Sequence, residues 1–180
     1  LLEPEAMNEY VALLHSIVLG QGKRLIMADL KALAAELGFI DCRTLVATGN
    51  LVFRAQATLV RGIEDRLEQA FESRFGKHVD IIVRSGDDWL TLAANNPFPQ
   101  GNPPDVCVRV MREPLDDAAL DLLQKCRRQE EIAVVAGDLW IDFRGKPSES
   151  RLLPVLTTKR LGVGTTRNAN TVNGLSEMLR

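Results

Sequence analysis

Gly20-Gln21-Gly22-Lys23 sits between an aliphatic run and a one-sided helical pattern, the place where a glycine-rich loop can hold phosphate against a helix N-terminus. Lys23 would be its cation. The known phosphate-binding spacings are not met. Arg24 stands where a Walker loop has Ser or Thr, and Leu25 where a dinucleotide fingerprint has its third glycine. A second polar cluster, Thr165-Thr166-Arg167-Asn168-Ala169-Asn170-Thr171, precedes the last helical pattern. Asn170 or Thr171 is expected to cap that helix, which leaves Arg167 and Asn168 beyond what capping needs. An arginine at a helix N-terminus suits a small anion, because guanidinium and helix dipole act with the same sign. Thr48 and Asn50 flank Gly49 in a tight turn, where turn chemistry already accounts for them. The candidate ligand-binding residues are therefore Lys23, Thr48, Asn50, Arg167 and Asn168.

Nucleophilic chemistry finds less support. His15 and Ser16 interrupt an aliphatic strand, but neighbours on a strand point to opposite faces and make a poor base and nucleophile pair. Cys42 has no evident histidine partner. No catalytic residue is assigned, and no cofactor. Only two histidines are present, and the cysteines, at 42, 107 and 126, are far apart, so no metal centre is expected. The most basic stretch, Arg144-Gly145-Lys146 with Arg151, Lys159 and Arg160, reads as solvated loop.

These residues sit in an ordinary globular composition, 46% hydrophobic and 26% charged over 180 residues. The net charge of −2 removes the basic balance that accompanies phosphate-backbone binding, which disfavours nucleic acid as a partner. No apolar run approaches the roughly 20 residues that span a bilayer, and Leu1 to Glu9 lacks the pattern of a secretion signal. An odd number of separated cysteines fits reduced thiols. A cytoplasmic protein without membrane association is expected.

The elements that must position these groups follow from periodicity. Tyr10 to Leu19 is nearly continuous aliphatic, as in a strand buried on both faces. Met27, Leu30, Leu33, Ala34 and Leu37 recur at helical spacing before Gly38. Arg43 to Val46 and Leu51 to Arg54 flank the Thr48-Gly49-Asn50 turn, and a second helix, capped by Thr58 and closed by Gly76, leads to a strand over Val79 to Arg84. The order β-α-β-β-α-β is that of a ferredoxin-like sheet. Ser85 with Asp88 starts a short helix. After a Pro/Asn-rich linker the order begins again: a strand over Val106 to Met111, a helix over Asp116 to Cys126, and two strands around Gly137-Asp138. No fourth strand is visible, and helical patterns fill Leu153 to Leu161 and Val172 to Leu179. The fold expected is α+β with two ferredoxin-like lobes, the second truncated and followed by C-terminal helices. The lobes are residues 1–95 and 105–180, with the linker at 96–104.

Short motifs along almost the whole chain resemble one uncharacterised bacterial family, the domain-of-unknown-function family sixteen-ninety-seven. They are Ala12-Leu13-Leu14, Met27-Ala28-Asp29-Leu30, Leu37-Gly38-Phe39, Arg43-Thr44, Thr48-Gly49-Asn50-Leu51-Val52-Phe53, Asn96-Pro97-Phe98 and Thr165 to Val172. The resemblance implies two α+β lobes and no known activity, substrate or cofactor. Where the family commonly reads Arg-Gly-Ile-Asn-Val-Gly-Gly, this chain reads His15-Ser16-Ile17-Val18-Leu19-Gly20-Gln21, and Ala169 replaces the usual tryptophan of the last motif.

The function expected first is binding of a small anionic ligand. An enzyme of unknown reaction using the same cleft is the alternative. RNA binding on an open sheet, or protein interaction through a homodimer joined at a sheet edge, are further alternatives.

Overall fold

The computed structural model describes residues 6–15, 18–19, 23–24, 27–45 and 49–179, with backbone alone at 18–19 and 23–24. The chain divides into two compact units, 1–91 with 174–180, and 92–173. The division falls inside the helix before the 96–104 segment, and the last helix is shared by both units.

In the first unit β1 (Met7–Leu14) is followed by a two-residue ribbon, β2 (Val18–Leu19) with β3 (Lys23–Arg24), then α1 (Met27–Glu36), β4 (Ile40–Leu45), β5 (Asn50–Gln56), α2 (Val60–Phe75) and β6 (Ile81–Ser85). The helix α3 (Gly86–Ala94) begins here, and Ser85 Oγ accepts the Asp88 N–H at 3.1 Å as the capping pattern requires. The sheet order β4-β5-β1-β6, antiparallel throughout, is the fourth-first-third-second arrangement of the ferredoxin-like fold. Alternate residues Tyr10, Ala12, Leu14, Leu51 and Phe53 face α1 and α2, where they meet Leu30, Leu33, Ile63, Leu67 and Phe71. The intervening Val11, Leu13 and Val52 are buried as well.

Two expectations are corrected here. The first strand runs from Met7 to Leu14 and stops short of Leu19, because its neighbours stop: Leu13 is opposite Asn50, the first residue of β5, and Leu14 is opposite Ile81, the first of β6. Thr58 does not cap α2. Leu59 holds the cap position without a side-chain bond, while the Thr58 N–H donates to the Tyr10 hydroxyl at 3.2 Å. The helix ends as expected, at Gly76 with φ 71° and its N–H on the Glu72 carbonyl.

The second unit repeats the topology. β7 (Val106–Met111), α4 (Asp117–Cys126), β8 (Glu131–Val135), β9 (Asp138–Asp142), the four-residue α5 (Thr158–Leu161) and β10 (Gly164–Asn168) lead into α6 (Ala169–Met178). The order β10-β7-β9-β8 is again fourth-first-third-second, and again antiparallel. The fourth strand, thought missing, is thus present as β10, so the sheet is complete. What is reduced is the second helix, replaced by two 3-10 turns and α5. The core joins Cys107, Met111, Leu139, Ile141 and Phe143 of the sheet to Leu123 of α4 and to Leu152, Val155 and Leu161 of the long connection. The β8–β9 turn is Ala136-Gly137, one residue earlier than expected, since Val135 is paired with Asp138.

Candidate functional site

The junction of β10 and α6 holds the densest set of sequence-named polar groups. β10 pairs with β7, placing Thr166 opposite Arg109, Arg167 opposite Val108 and Asn168 opposite Cys107. Thr165 and Arg167 share one face of the strand. Arg167 Nη1 donates to Thr165 Oγ1 at 2.7 Å and to the Thr166 carbonyl at 2.9 Å, which fixes the direction of the guanidinium. Burial lowers the Arg167 pKa to about 10, which still leaves a full positive charge at neutral pH.

Asn168 has a local task that the sequence assigned to Asn170 or Thr171. Its Oδ1 accepts the Thr171 N–H at 3.0 Å, one of the donors left unpaired at the start of α6. The helix begins at Ala169, immediately after the strand, so the cap falls on the last strand residue.

The other named residues are placed separately. Asn50 lies in the first unit, fully buried, with Nδ2 donating to the Leu45 carbonyl at 3.1 Å across the β4–β5 turn. Lys23 lies in β3, described by its backbone, and Thr48 lies outside the described residues, as do Gly20, Gln21 and Gly22. Of the suggested pair of nucleophile and base, Ser16 is also outside them, while His15 donates its backbone N–H to the Asp80 carbonyl at 3.0 Å. Burial raises the pKa of the Cys42 thiol, with Lys31 opposing and Asp41 assisting, and pushes that of Cys107 up to about 11. Burial thus disfavours the reactive thiolate form of both.

Several charged groups escaped the sequence reading. Arg109, in the middle of the aliphatic β7, is 2% exposed and donates Nη2 to the Gly162 carbonyl at 2.9 Å. It lies on the sheet face opposite to Arg167, since the two are offset by one residue in the ladder. Glu64 and Glu68, one turn apart on α2, turn their carboxylates onto β6. Glu64 Oε2 accepts the Val83 N–H at 2.9 Å and Glu68 Oε2 the Ile81 N–H at 3.1 Å. Asp80 accepts from His78 at 2.9 Å, and this bond, against partial burial and with Glu68 and Glu72 assisting, raises the imidazole pKa. A cavity of about 560 Å³ opens in the first unit beside Phe39, Gln56, Thr58 and Arg66. Arg66 lies 5.0 Å over the Phe39 ring there. Among the described residues, none of the candidate ligand-binding residues lines this cavity.

Among the described residues no helix is long and apolar enough to cross a membrane. A conserved bacterial protein, SP0830 from Streptococcus pneumoniae, has a similar solved structure, with a TM-score of 0.76 at 20% identity over 97% of this chain and all of the other. At that identity the likeness concerns the fold. No curated protein matches the sequence. A family model described as protein of unknown function, DUF1697, matches residues 7–140, from the start of the first sheet into the third strand of the second. That match covers more than half of the chain, and the chain belongs to the DUF1697 family.

Proposed function

We propose that the protein binds a small anionic ligand at the β10–α6 junction, with Arg167 as the principal contact and Asn168 beside it. The observation that carries this reading is the direction of Arg167. Thr165 Oγ1 and the Thr166 carbonyl hold one nitrogen of the guanidinium where the strand enters the N-terminus of a ten-residue helix. A preset guanidinium and a helix N-terminus attract the same sign of charge, and presetting reduces the ordering cost of binding. Phosphorylated metabolites and nucleotides are the ligand class that best matches this chemistry.

The test is a thermal-shift panel of inorganic phosphate, nucleotides and phosphorylated metabolites on the full chain, repeated on Arg167→Ala. A ligand at a hundred times its Kd should stabilise the protein by about 2.7 kcal/mol. The shift should vanish in the variant. A blank panel, or an undiminished shift in Arg167→Ala, overturns the proposal.

A cytoplasmic location belongs to the same proposal. Three free cysteines, two of them buried, suit a reducing compartment.

A further inference from the structure

We propose a second, independent site: a divalent first-row cation, of the Zn²⁺ kind, held by Glu68 in the middle of α2 with His78 and Asp80 of the connection to β6. One carboxylate oxygen each from Glu68 and Asp80 and a ring nitrogen of His78 can be chosen so that all lie within 4.8 Å of one another. His78 Nε2 is 2.9 Å from Asp80 Oδ1 and 4.0 Å from Glu68 Oε2. Tetrahedral zinc, with bonds of about 2.0–2.2 Å, needs donors roughly 3.4 Å apart. The half-exposed His78 side chain can make that small adjustment without moving the core.

More than a cluster of acids is present, because two of the three donors have a further group beside them. The Ile81 N–H fixes Glu68 Oε2 at 3.1 Å, while Arg61 lies on the other oxygen, Oε1, at 3.5 Å. Glu72 Oε2 lies 3.8 Å from His78 Nδ1, the ring nitrogen turned away from Asp80 and Glu68. A ligating histidine nearly always presents its other nitrogen to a carboxylate or carbonyl, which sets the tautomer and raises the basicity of the bound one. Nitrogen with two carboxylate oxygens suits zinc and its neighbours better than calcium or magnesium, which take oxygen alone. Water would complete the coordination.

The experiment is calorimetric titration of the metal-stripped full chain with ZnCl₂ and CoCl₂, with the visible absorption of Co²⁺ as a second readout. One equivalent should bind, and His78→Ala and Asp80→Asn should each weaken it by at least about tenfold. Both side chains are partly or largely exposed, so the variants should fold, which circular dichroism checks. Glu72→Gln should weaken binding by about tenfold while leaving the Co²⁺ spectrum that of a nitrogen-ligated ion. Absence of stoichiometric binding overturns the site, and so does an unchanged affinity in His78→Ala. Neither result bears on the anion site, whose test reads Arg167.

Discussion

Glu64 on α2 and Val83 on β6 are joined by a 2.9 Å hydrogen bond from the strand N–H to a carboxylate that is almost fully buried. Among the described residues β6 is an edge strand, paired with β1 alone. Its outer N–H groups are the kind of open ladder that invites pairing with another chain. With Glu68 on Ile81, the helix closes that ladder at two successive outward positions. The i, i+4 spacing on α2 matches the i, i+2 spacing on the strand, since roughly 6 Å separates both pairs.

Replacing Glu64 by Ala should therefore destabilise the protein by about 1–3 kcal/mol, because the Val83 N–H loses its partner in a buried place. Glu64→Gln keeps an acceptor oxygen and should lose less. Chemical denaturation measures the loss, and hydrogen exchange should show the Val83 amide opening faster. A Glu64→Ala protein as stable as the parent would mean that water replaces the carboxylate there.

Asn168→Ala should cost about 1 kcal/mol of stability through loss of the α6 cap, whereas Asn170→Ala, at an exposed position, should change little. Thermal unfolding of the two variants separates cap from ligand. If Asn168→Asp, which also caps, restores stability but abolishes a phosphate-induced shift, the second role of Asn168 is shown by charge repulsion.

Much of the architecture is written locally. The first unit announces itself through the turn residues ahead of β5, the helical spacing of α1 and α2, and glycines at the helix ends, each a consequence of a few adjacent residues. β10 does not, because Gly164-Thr165-Thr166-Arg167-Asn168 lacks a large apolar side chain. A Cβ at Gly164 would lie 2.8 Å from Met111 Sδ and 3.0 Å from Arg109 Nε, so a bulky residue has no room there. The paired β-branched threonines were the available signal. With the strand unseen, the start of α6 was placed too late, and Asn168 looked surplus to capping. Glu64 and Glu68 were illegible for a different reason. They border the apolar stripe like solvated acids, and only the seat of α2 against β6 turns them inward.

The β8–β9 turn contains a removable strain. Ala136 and Gly137 both have positive φ, 50° and 86°, the pattern of a type I′ turn that favours Asn-Gly. A left-handed alanine costs about 1–2 kcal/mol, and asparagine tolerates the region better. Ala136 is exposed, so Ala136→Asn should stabilise the protein by about 0.5–1 kcal/mol. Gly137→Ala should do the opposite, since its Cβ would lie 2.9 Å from Pro114 Cα as well as demanding positive φ. Unfolding midpoints of both variants check the sign.

Glu130 makes the stability of the second unit depend on pH. Burial alone would raise its pKa, but the Arg128 N–H at 2.6 Å and the Ser150 hydroxyl at 2.7 Å outweigh burial and hold it below the ordinary carboxylate value. A carboxylate with a depressed folded pKa contributes stability that is full above its unfolded pKa, about 4.3, and that is lost as pH falls through the lower folded value. Glu130→Gln should therefore be less stable than the parent at pH 7, by about 1.5–3 kcal/mol if both charge-assisted bonds weaken. Below the folded pKa the parent carboxyl is protonated too, and the gap should close. Urea denaturation of both proteins over a series of pH values falling from 7 measures it. A gap that stays constant throughout the acid series would trace the effect to packing rather than to charge, because only the charge titrates.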